Sequence, residues 1–439
     1  MVVDAGRNWR KNNGDRTVAA LCPHFLSMSL LVPLLRTFEP FTKLASSTTL
    51  CEVLSGKFHG QRVHFCFGEE SSMNKTISRR LGLVAIVVVA LLLAVGYPFG
   101  MRLRQTSTMA DAGPNHQTTN THFGVSGGNV KDISALFCCS GTLGSLLTDG
   151  NGSFFILSNN HVLARSDAAA LGEAISEPGL VDNQCRIPPI VANLTSFPLL
   201  SSNVDAAIAK LGAVNGQPTM DTTGFIEDIG TISATPVLPT LNMAVKKSGR
   251  TTGLTTGSVT SFNTNVRVQY QARCGQGRKF TISFTDQVVV APGNFSAGGD
   301  SGSLILTTNN QPVGLLFAGS STTTIANPIC EVLAKVNANL TAPVHFVGSG
   351  DPSCPAAFAN VGTQPPPSHK KAHDAKERYA DQLMSRPGVI GVGVGNTEDD
   401  KGPAVIMYMD ANTPAPPFVP AQLDGVPVRV IRTDAFVSR

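Results

Sequence analysis

Along the chain, the pattern of apolar and polar positions changes several times. Residues 1–72 mix apolar, polar and cysteine positions without sustained periodicity. Residues 81–95 are an unbroken apolar run, Leu-Gly-Leu-Val-Ala-Ile-Val-Val-Val-Ala-Leu-Leu-Leu-Ala-Val, preceded by Lys75, Arg79 and Arg80. A polar stretch rich in Thr, Asn and Gly over 103–123 reads as a linker. From residue 124 the spacing is that of short strands. Ser140 to Ser158 predicts two strands around an Asp149-Gly150-Asn151-Gly152 turn. Val204 to Leu211 predicts a small buried strand with Asp205 at its entrance. Over 264–291, Val266, Val268 and Tyr270 alternate, Cys274-Gly275-Gln276-Gly277 turns, and Phe280, Ile282 and Phe284 alternate back, which predicts another hairpin. Helix signals are scarce until about Asn327, so 124–345 reads as mainly β, a sandwich or pair of barrels.

A Pro-rich linker over 346–368, with Gln364-Pro365-Pro366-Pro367-Ser368, leads to a different pattern. Lys370 to Met384 is charged with helical period, and Gly388 to Gly395, Ala404 to Met409 and Val426 to Ile431 read as strands. Residues 369–439 are therefore expected to be a small separate α+β module. Its glycines between Gly391 and Gly395 permit close approach of another backbone, so the module is expected to dock on the preceding domain or on a partner.

Composition narrows the function classes. Charged residues are only 15% of the chain while Gly and Pro number 42 and 28, which favours turn-rich β-structure. A net charge of +4 is too small to call for a nucleic-acid partner. Basic residues followed by an apolar core, within 73–102, form the pattern of a signal peptide or signal anchor. The protein is thus expected to be secreted, or held at a membrane through residues 81–97 if that segment stays uncleaved. Met73 is expected to be the functional start, with 1–72 a spurious or disordered extension. Cys138, Cys139, Cys185, Cys274, Cys330 and Cys354 follow the apolar run, an even count that suits disulfides in an oxidising compartment but leaves the connectivity open. No spacing suggests a metal site, and no cofactor is called for. His369 and His373, one helical turn apart among Lys370, Lys371, Asp374 and Lys376, read as solvated surface.

The chemistry centres on Gly298-Gly299-Asp300-Ser301-Gly302-Ser303. A serine nucleophile needs a base beside it and backbone N–H groups aimed at the developing oxyanion, and flanking glycines let the backbone come that close. A base in turn needs a buried carboxylate to fix its tautomer. His161, just after a buried strand, and Asp205, at the entrance of another, meet those contexts. Asp167 and Asp182 also fall in the first half, but in loop-like surroundings that would leave them solvated.

Leu157-Ser-Asn-Asn-His161-Val-Leu-Ala164, Val204-Asp205 to Leu211, Lys247-Ser-Gly-Arg250-Thr-Thr-Gly253 and Gly299-Asp-Ser-Gly302 resemble the bacterial trypsin-like serine peptidases. The Gly-Arg-Thr-Thr-Gly piece is similar to the streptogrisin and α-lytic protease branch. The resemblance implies a chymotrypsin-like fold with barrels at about 124–235 and 236–345. It also implies a serine endopeptidase acting on polypeptides, with His161, Asp205 and Ser301 catalytic and Gly299 and Ser301 N–H groups as the oxyanion hole. Phe317 stands where many relatives carry a serine that supports the catalytic Asp. By position, Phe295, Ser296, Ala297, Phe317, Ala318 and Gly319 should form the substrate pocket. None is acidic, so small or apolar residues are expected before the scissile bond, rather than Arg or Lys. The same branch suggests that Arg250 pairs with buried Asp300. The alternative function is a non-catalytic binding or scaffold protein retaining the two barrels.

Overall fold

The computed structural model describes residues 122–356, 367–414 and 419–439, together with the backbone of three earlier strands. The chain divides into two compact units, 1–104 and 105–439. In the first, Thr42–Ser46, Thr49–Phe58 and Gln61–Gly68 pair as an antiparallel meander. The sequence predicts no element there, because a backbone ladder alone imposes no apolar period. Met73, the apolar run and residues 357–366 of the Pro-rich linker lie outside the described residues. Among the described residues, no helix is long and apolar enough to cross a membrane.

The second unit begins with a barrel of β1 (Val125–Asn129), β2 (Gly141–Leu143), β3 (Ser145–Thr148), β4 (Phe154–Ser158), β5 (Ala174–Ser176), β6 (Ile190–Ser196) and β7 (Ala207–Leu211). The hydrogen-bonded order is β3-β4-β7-β6-β5-β1-β2. β2 and β3 are two halves of one strand bent at Gly144, so the sheet closes on itself. The β3–β4 turn is fixed by Asp149, whose Oδ1 accepts from the N–H groups of Asn151 and Ser153 at 2.9 and 3.0 Å. Leu143, Leu146, Ile156, Ile175, Leu194 and Ile208 fill the interior. At about 1.5–3 kcal/mol per large buried side chain, this apolar filling is the main stabilising term.

The second barrel has β8 (Ala244–Lys247), β9 (Thr255–Arg273), β10 (Gln276–Ala291), β11 (Leu304–Thr307), β12 (Pro312–Gly319) and β13 (Thr324–Pro328). Their order, β8-β11-β12-β13-β10-β9, closes through β9 back to β8. The β9–β10 hairpin is longer than its alternating core predicts and outruns the barrel. Val266 faces Phe284 and Tyr270 faces Phe280 across it. α1 (Asn160–Leu163) follows β4, and α2 (Ile329–Asn337) follows β13. α2 packs Val332, Leu333 and Val336 into the core of the first barrel, and β14 (His345–Phe346) adds to β3.

The six cysteines that follow the apolar run are all paired, as Cys138–Cys185, Cys139–Cys274 and Cys330–Cys354. The middle bond ties a loop of the first barrel to the tip of the β9–β10 hairpin.

The C-terminal module is α+β: α3 (Lys370–Met384), β15 (Val389–Asn396), β16 (Pro403–Asp410), β17 (Gln422–Leu423), β18 (Val426–Thr433) and β19 (Phe436–Ser438). Ala372, Ala375, Leu383 and Met384 on α3 pack against Val392, Val394, Val405 and Met407. The module is not a separate body, however. β15 pairs antiparallel with β9, Phe262 opposite Val394 and Val266 opposite Gly391, so one sheet runs from the barrel into the module. A side chain at Gly393 would meet Ser261 Oγ at 2.5 Å, so the alternating glycines are what let the two strands close. Lys376, expected on a solvated face, is buried and donates from Nζ to Asn265 Oδ1 and Glu377 Oε1, both at 2.8 Å. His369 instead meets Asn396, and His373 lies 3.7 Å from Glu377.

Ala404, Ile406, Tyr408 and Phe436 share one apolar cluster with Val266, Val268, Phe284 and Phe317 of the barrel. A chain ending before residue 365 should therefore melt well below the full chain and self-associate through the bared β9 edge, by several kcal/mol at about 1.5–3 per large side chain. Thermal unfolding and size-exclusion chromatography check this, and an unchanged, monodisperse truncation would show that the sheet does not depend on the module.

Candidate active site

The end of β4 and the start of β7 lie side by side, Ser158 opposite Ala207. That register sets Asp205 beside the entrance of α1, where His161 projects into the crevice between the barrels. The carboxylate is wholly buried and accepts three hydrogen bonds. The His161 N–H reaches Oδ1 at 3.1 Å, His161 Nδ1 reaches Oδ2 at 2.6 Å, and the Tyr270 hydroxyl donates to Oδ2 at 2.8 Å. Asn159 and Asn327 fix the backbone of Asp205, the first donating to its carbonyl at 2.6 Å and the second accepting from its N–H at 2.9 Å.

Tyr270 answers the question raised by Phe317. Phe317 turns its ring into the core against Phe284, ring centres 4.9 Å apart, and offers no hydroxyl to Asp205. The donor comes from β9 instead. Sequence alternation marks Tyr270 as inward-facing but says nothing about what its hydroxyl meets.

Burial pulls the His161 pKa down, but the Asp205 charge and hydrogen bond outweigh it, and the net shift is upward. Nε2 faces another acceptor, the main-chain oxygen of Arg439, at 3.2 Å. With acceptors at both nitrogens the protonated ring is favoured. Asp132, nearby, is pushed up to about 6, mainly by burial.

Ser301 is buried, and its Oγ donates to Phe317 O at 3.4 Å. The structure thus brings His161 and Asp205 into direct contact, while the imidazole is engaged with Arg439. The Ser301 loop is held to the first barrel by Thr142, whose N–H reaches Ser301 O at 2.7 Å and whose hydroxyl reaches Gly299 O at 2.9 Å. Gly299 has φ +98°, where a side chain is strained and would meet Arg250 Nη1 at 2.6 Å. Among the described residues, the N–H groups of Gly299 and Ser301 donate to no other protein group.

The expected Arg250–Asp300 pair is not formed. Arg250 grips Asp182 through its fork, Nε to Oδ2 at 2.5 Å and Nη2 to Oδ1 at 2.9 Å. Asp182 is therefore buried and paired across the barrels, not solvated. Asp300 is held by the same turn, through Thr251 N at 2.9 Å, Thr252 N at 3.1 Å and the Thr252 hydroxyl at 2.7 Å, and by its own loop through Ala297 N at 2.9 Å. Its cation is Lys247, 3.6 Å away and fully buried. Burial lowers the Lys247 pKa to about 8 against the pull of Asp300. The turn points its N–H groups toward Asp300 and the Arg250 side chain the other way, a direction that a linear motif does not encode. Asp167, the other rival carboxylate, accepts from Asn160 Nδ2 at 2.7 Å and supports α1.

Of the expected pocket residues, Phe295 and Ala318 pack into apolar clusters, as does the Phe317 ring. Ser296, Gly319 and the adjacent Ser320 border the pocket, and the Arg439 side chain lies among them. Its Nη1 donates to Ser296 O at 2.6 Å and its Nη2 to Ser320 O. A cavity of about 580 Å³ adjoins the site, lined by His161, Gly299, Ser438 and Arg439 together with Phe137 and Gln271. Among the described residues, no cluster of side chains is arranged to hold a metal ion.

No protein-family model matches the chain, and no curated protein matches it. Among solved structures it is similar to protease A of Thermobifida fusca, with 17% identity over 52% of this chain and 100% of that one, at a TM-score of 0.34. It is also similar to Cellulomonas bogoriensis chymotrypsin, with 18% identity over 52% and 100%, at 0.33. A third is a glutamic-acid-specific serine protease, with 20% identity over 51% and 98%, at 0.34. Two closed barrels, with His161, Asp205 and Ser301 in that chain order at their junction, give residues 124–345 a chymotrypsin-like fold.

Proposed function

We propose that the chain is a serine endopeptidase that hydrolyses polypeptides through an acyl-enzyme, with the domain outside the cytoplasm. The observation that carries the reading is the 2.6 Å contact between His161 Nδ1 and buried Asp205, facing a Gly-rich serine loop with two uncommitted N–H groups. Once Nε2 is released from Arg439, neutral His161 takes the Ser301 Oγ proton as Oγ bonds to the scissile carbonyl carbon. Gly299 and Ser301 N–H groups hold the oxyanion. His161 then gives that proton to the departing amine, and repeats both steps with water to free the acid. Asp205 orients the ring and offsets its positive charge, and Tyr270 holds Asp205. No step calls for a metal or cofactor. Three disulfides support an oxidising compartment, and the apolar run over 81–95 supports export or tethering at a membrane. The continuous sheet supports a role for the C-terminal module as part of the protease body.

A fluorophosphonate probe should label the protein at Ser301, and Ser301→Ala should abolish both labelling and peptide hydrolysis. A folded chain that never labels, even without residues 437–439, would favour the scaffold alternative.

The pH profile tests the ring. Because the His161 pKa is raised, the base-competent neutral form, and with it kcat/KM, should be present above that pKa and lost as pH falls through it, at a pH higher than the ordinary ~6.5. Tyr270→Phe removes a hydrogen bond to a charged group, worth about 1.5–3 kcal/mol, so kcat/KM should fall roughly 10- to 100-fold. Asp205 should then act more strongly on His161, and the acid limb should move further up. A variant with an unaltered profile would exclude Tyr270 from the orienting network.

A further inference from the structure

The last strand of the chain does not stay with its module. β19 inserts between the two elements that border the cleft, parallel to β9 with Phe436 opposite Val268, and antiparallel to β12 with Ser438 opposite Ala318 and Val437 opposite Gly319. The Arg439 N–H donates to Phe317 O at 3.1 Å, and the Arg439 main-chain oxygen accepts from His161 Nε2 at 3.2 Å. A segment that extends the sheet beside the catalytic serine, with a main-chain oxygen at the base and a side chain in the adjoining pocket, lies as the acyl half of a peptide lies at a serine peptidase.

We infer that this pocket selects arginine, and that Phe436–Arg439 occupies the acyl side of the cleft as a competitor in cis. The inference rests on the peptidase reading and names its substrate class: polypeptides with Arg before the scissile bond and an extended apolar-polar segment ahead of it.

No carboxylate touches the guanidinium, and Asp300 and Asp434 attract it only at a distance. Two carbonyl oxygens, of Ser296 and Ser320, each take one terminal nitrogen of the guanidinium. Both residues are 2% exposed, so the acceptors are held in place. Two fixed acceptors suit a planar fork, whereas an ammonium on a flexible stem meets them singly. Gly319 makes room: a side chain there would lie 2.5 Å from Arg439 Nε. Asp434 Oδ1 accepts from Ser321 N at 2.7 Å and holds the rim next to Ser320. This differs from the expectation of a small or apolar guest, which rested on the absence of acidic side chains among the expected pocket residues. Backbone carbonyls are invisible in a residue inventory.

Neutral acceptors give less attraction than a carboxylate, which suits an occupant that must leave. Tethering offsets the loss, because a segment attached to the same sheet competes at an effective concentration of about millimolar. Phe436 is fully buried against Tyr408, ring centres 5.7 Å apart, and stays with the fold. Release therefore needs Val437 to Arg439 to peel from β12 and Val437 to part from Gln269 of β9.

The test compares the full chain with Arg439→Ala and with a chain lacking residues 437–439, both of which keep Phe436. On fluorogenic peptides Phe-Val-Ser-X, X = Arg should be cleaved at least tenfold better than X = Lys, Ala, Phe or Glu, and both variants should cleave the Arg peptide at least tenfold faster than the full chain. Independently of catalysis, calorimetry on the Ser301→Ala, Arg439→Ala double variant should detect binding of the peptide Phe-Val-Ser-Arg and none of Phe-Val-Ser-Ala. Arg439→Lys should release the full chain partly. Preference for another residue, equal rates in tailed and shortened chains, or equal binding of the two peptides would overturn the inference. Fluorophosphonate labelling of the shortened chain separates the two readings. If it labels while the Arg preference is absent, only the inference fails. If it binds Phe-Val-Ser-Arg but never labels, the pocket assignment stands and the peptidase reading fails.

Discussion

A carboxylate with no access to solvent is tolerable only when its charge is met on every side, and Asp205 is the point at which the two barrels meet that demand together. The first barrel supplies the His161 ring and backbone, and the second supplies the Tyr270 hydroxyl and, through Asn327, an acceptor for the Asp205 N–H. Separating the barrels would strand the charge. The cleft is thus located where it is by electrostatics, while the apolar cores of the barrels supply the stability.

The same logic recurs in the neighbouring buried charges. Arg250 and Asp182 neutralise each other across the barrel junction, and Asp300 is neutralised within the second barrel by Lys247 and three backbone N–H groups. These two solutions share one short turn, residues 247–253. The turn therefore fixes the shape of the serine loop and also its attachment to the opposite barrel.

The sequence showed the barrels and the three central residues because each is marked locally: His161 by the strand before it, Asp205 by the strand after it, Ser301 by its glycines. Where the outcome depended on direction in space, the signal was missing. Gly-Arg-Thr-Thr-Gly identifies a turn but not which face of it carries the Arg250 side chain. The alternation around Tyr270 gives a buried face but not the partner of its hydroxyl. A Pro-rich joint suggested that the last segment was separate, yet strand pairing is blind to intervening linkers, and β15 found β9 across more than a hundred residues. The seating of Arg439 was equally hidden, since its partners are main-chain oxygens.

Cys138 and Cys139 are adjacent, yet they leave in different directions, one to Cys185 in the same barrel and one to Cys274 at the tip of a hairpin in the other. Synthesis makes Cys185 available while Cys274 is still unmade, and closing a loop from either neighbour costs nearly the same entropy. Chain statistics therefore cannot choose between the two thiols. The choice is made by the β9–β10 hairpin when it arrives and presents Cys274 to one of them, with thiolate exchange erasing an earlier wrong bond. Correct oxidation of the first barrel is in this sense a readout of whether the second has been built.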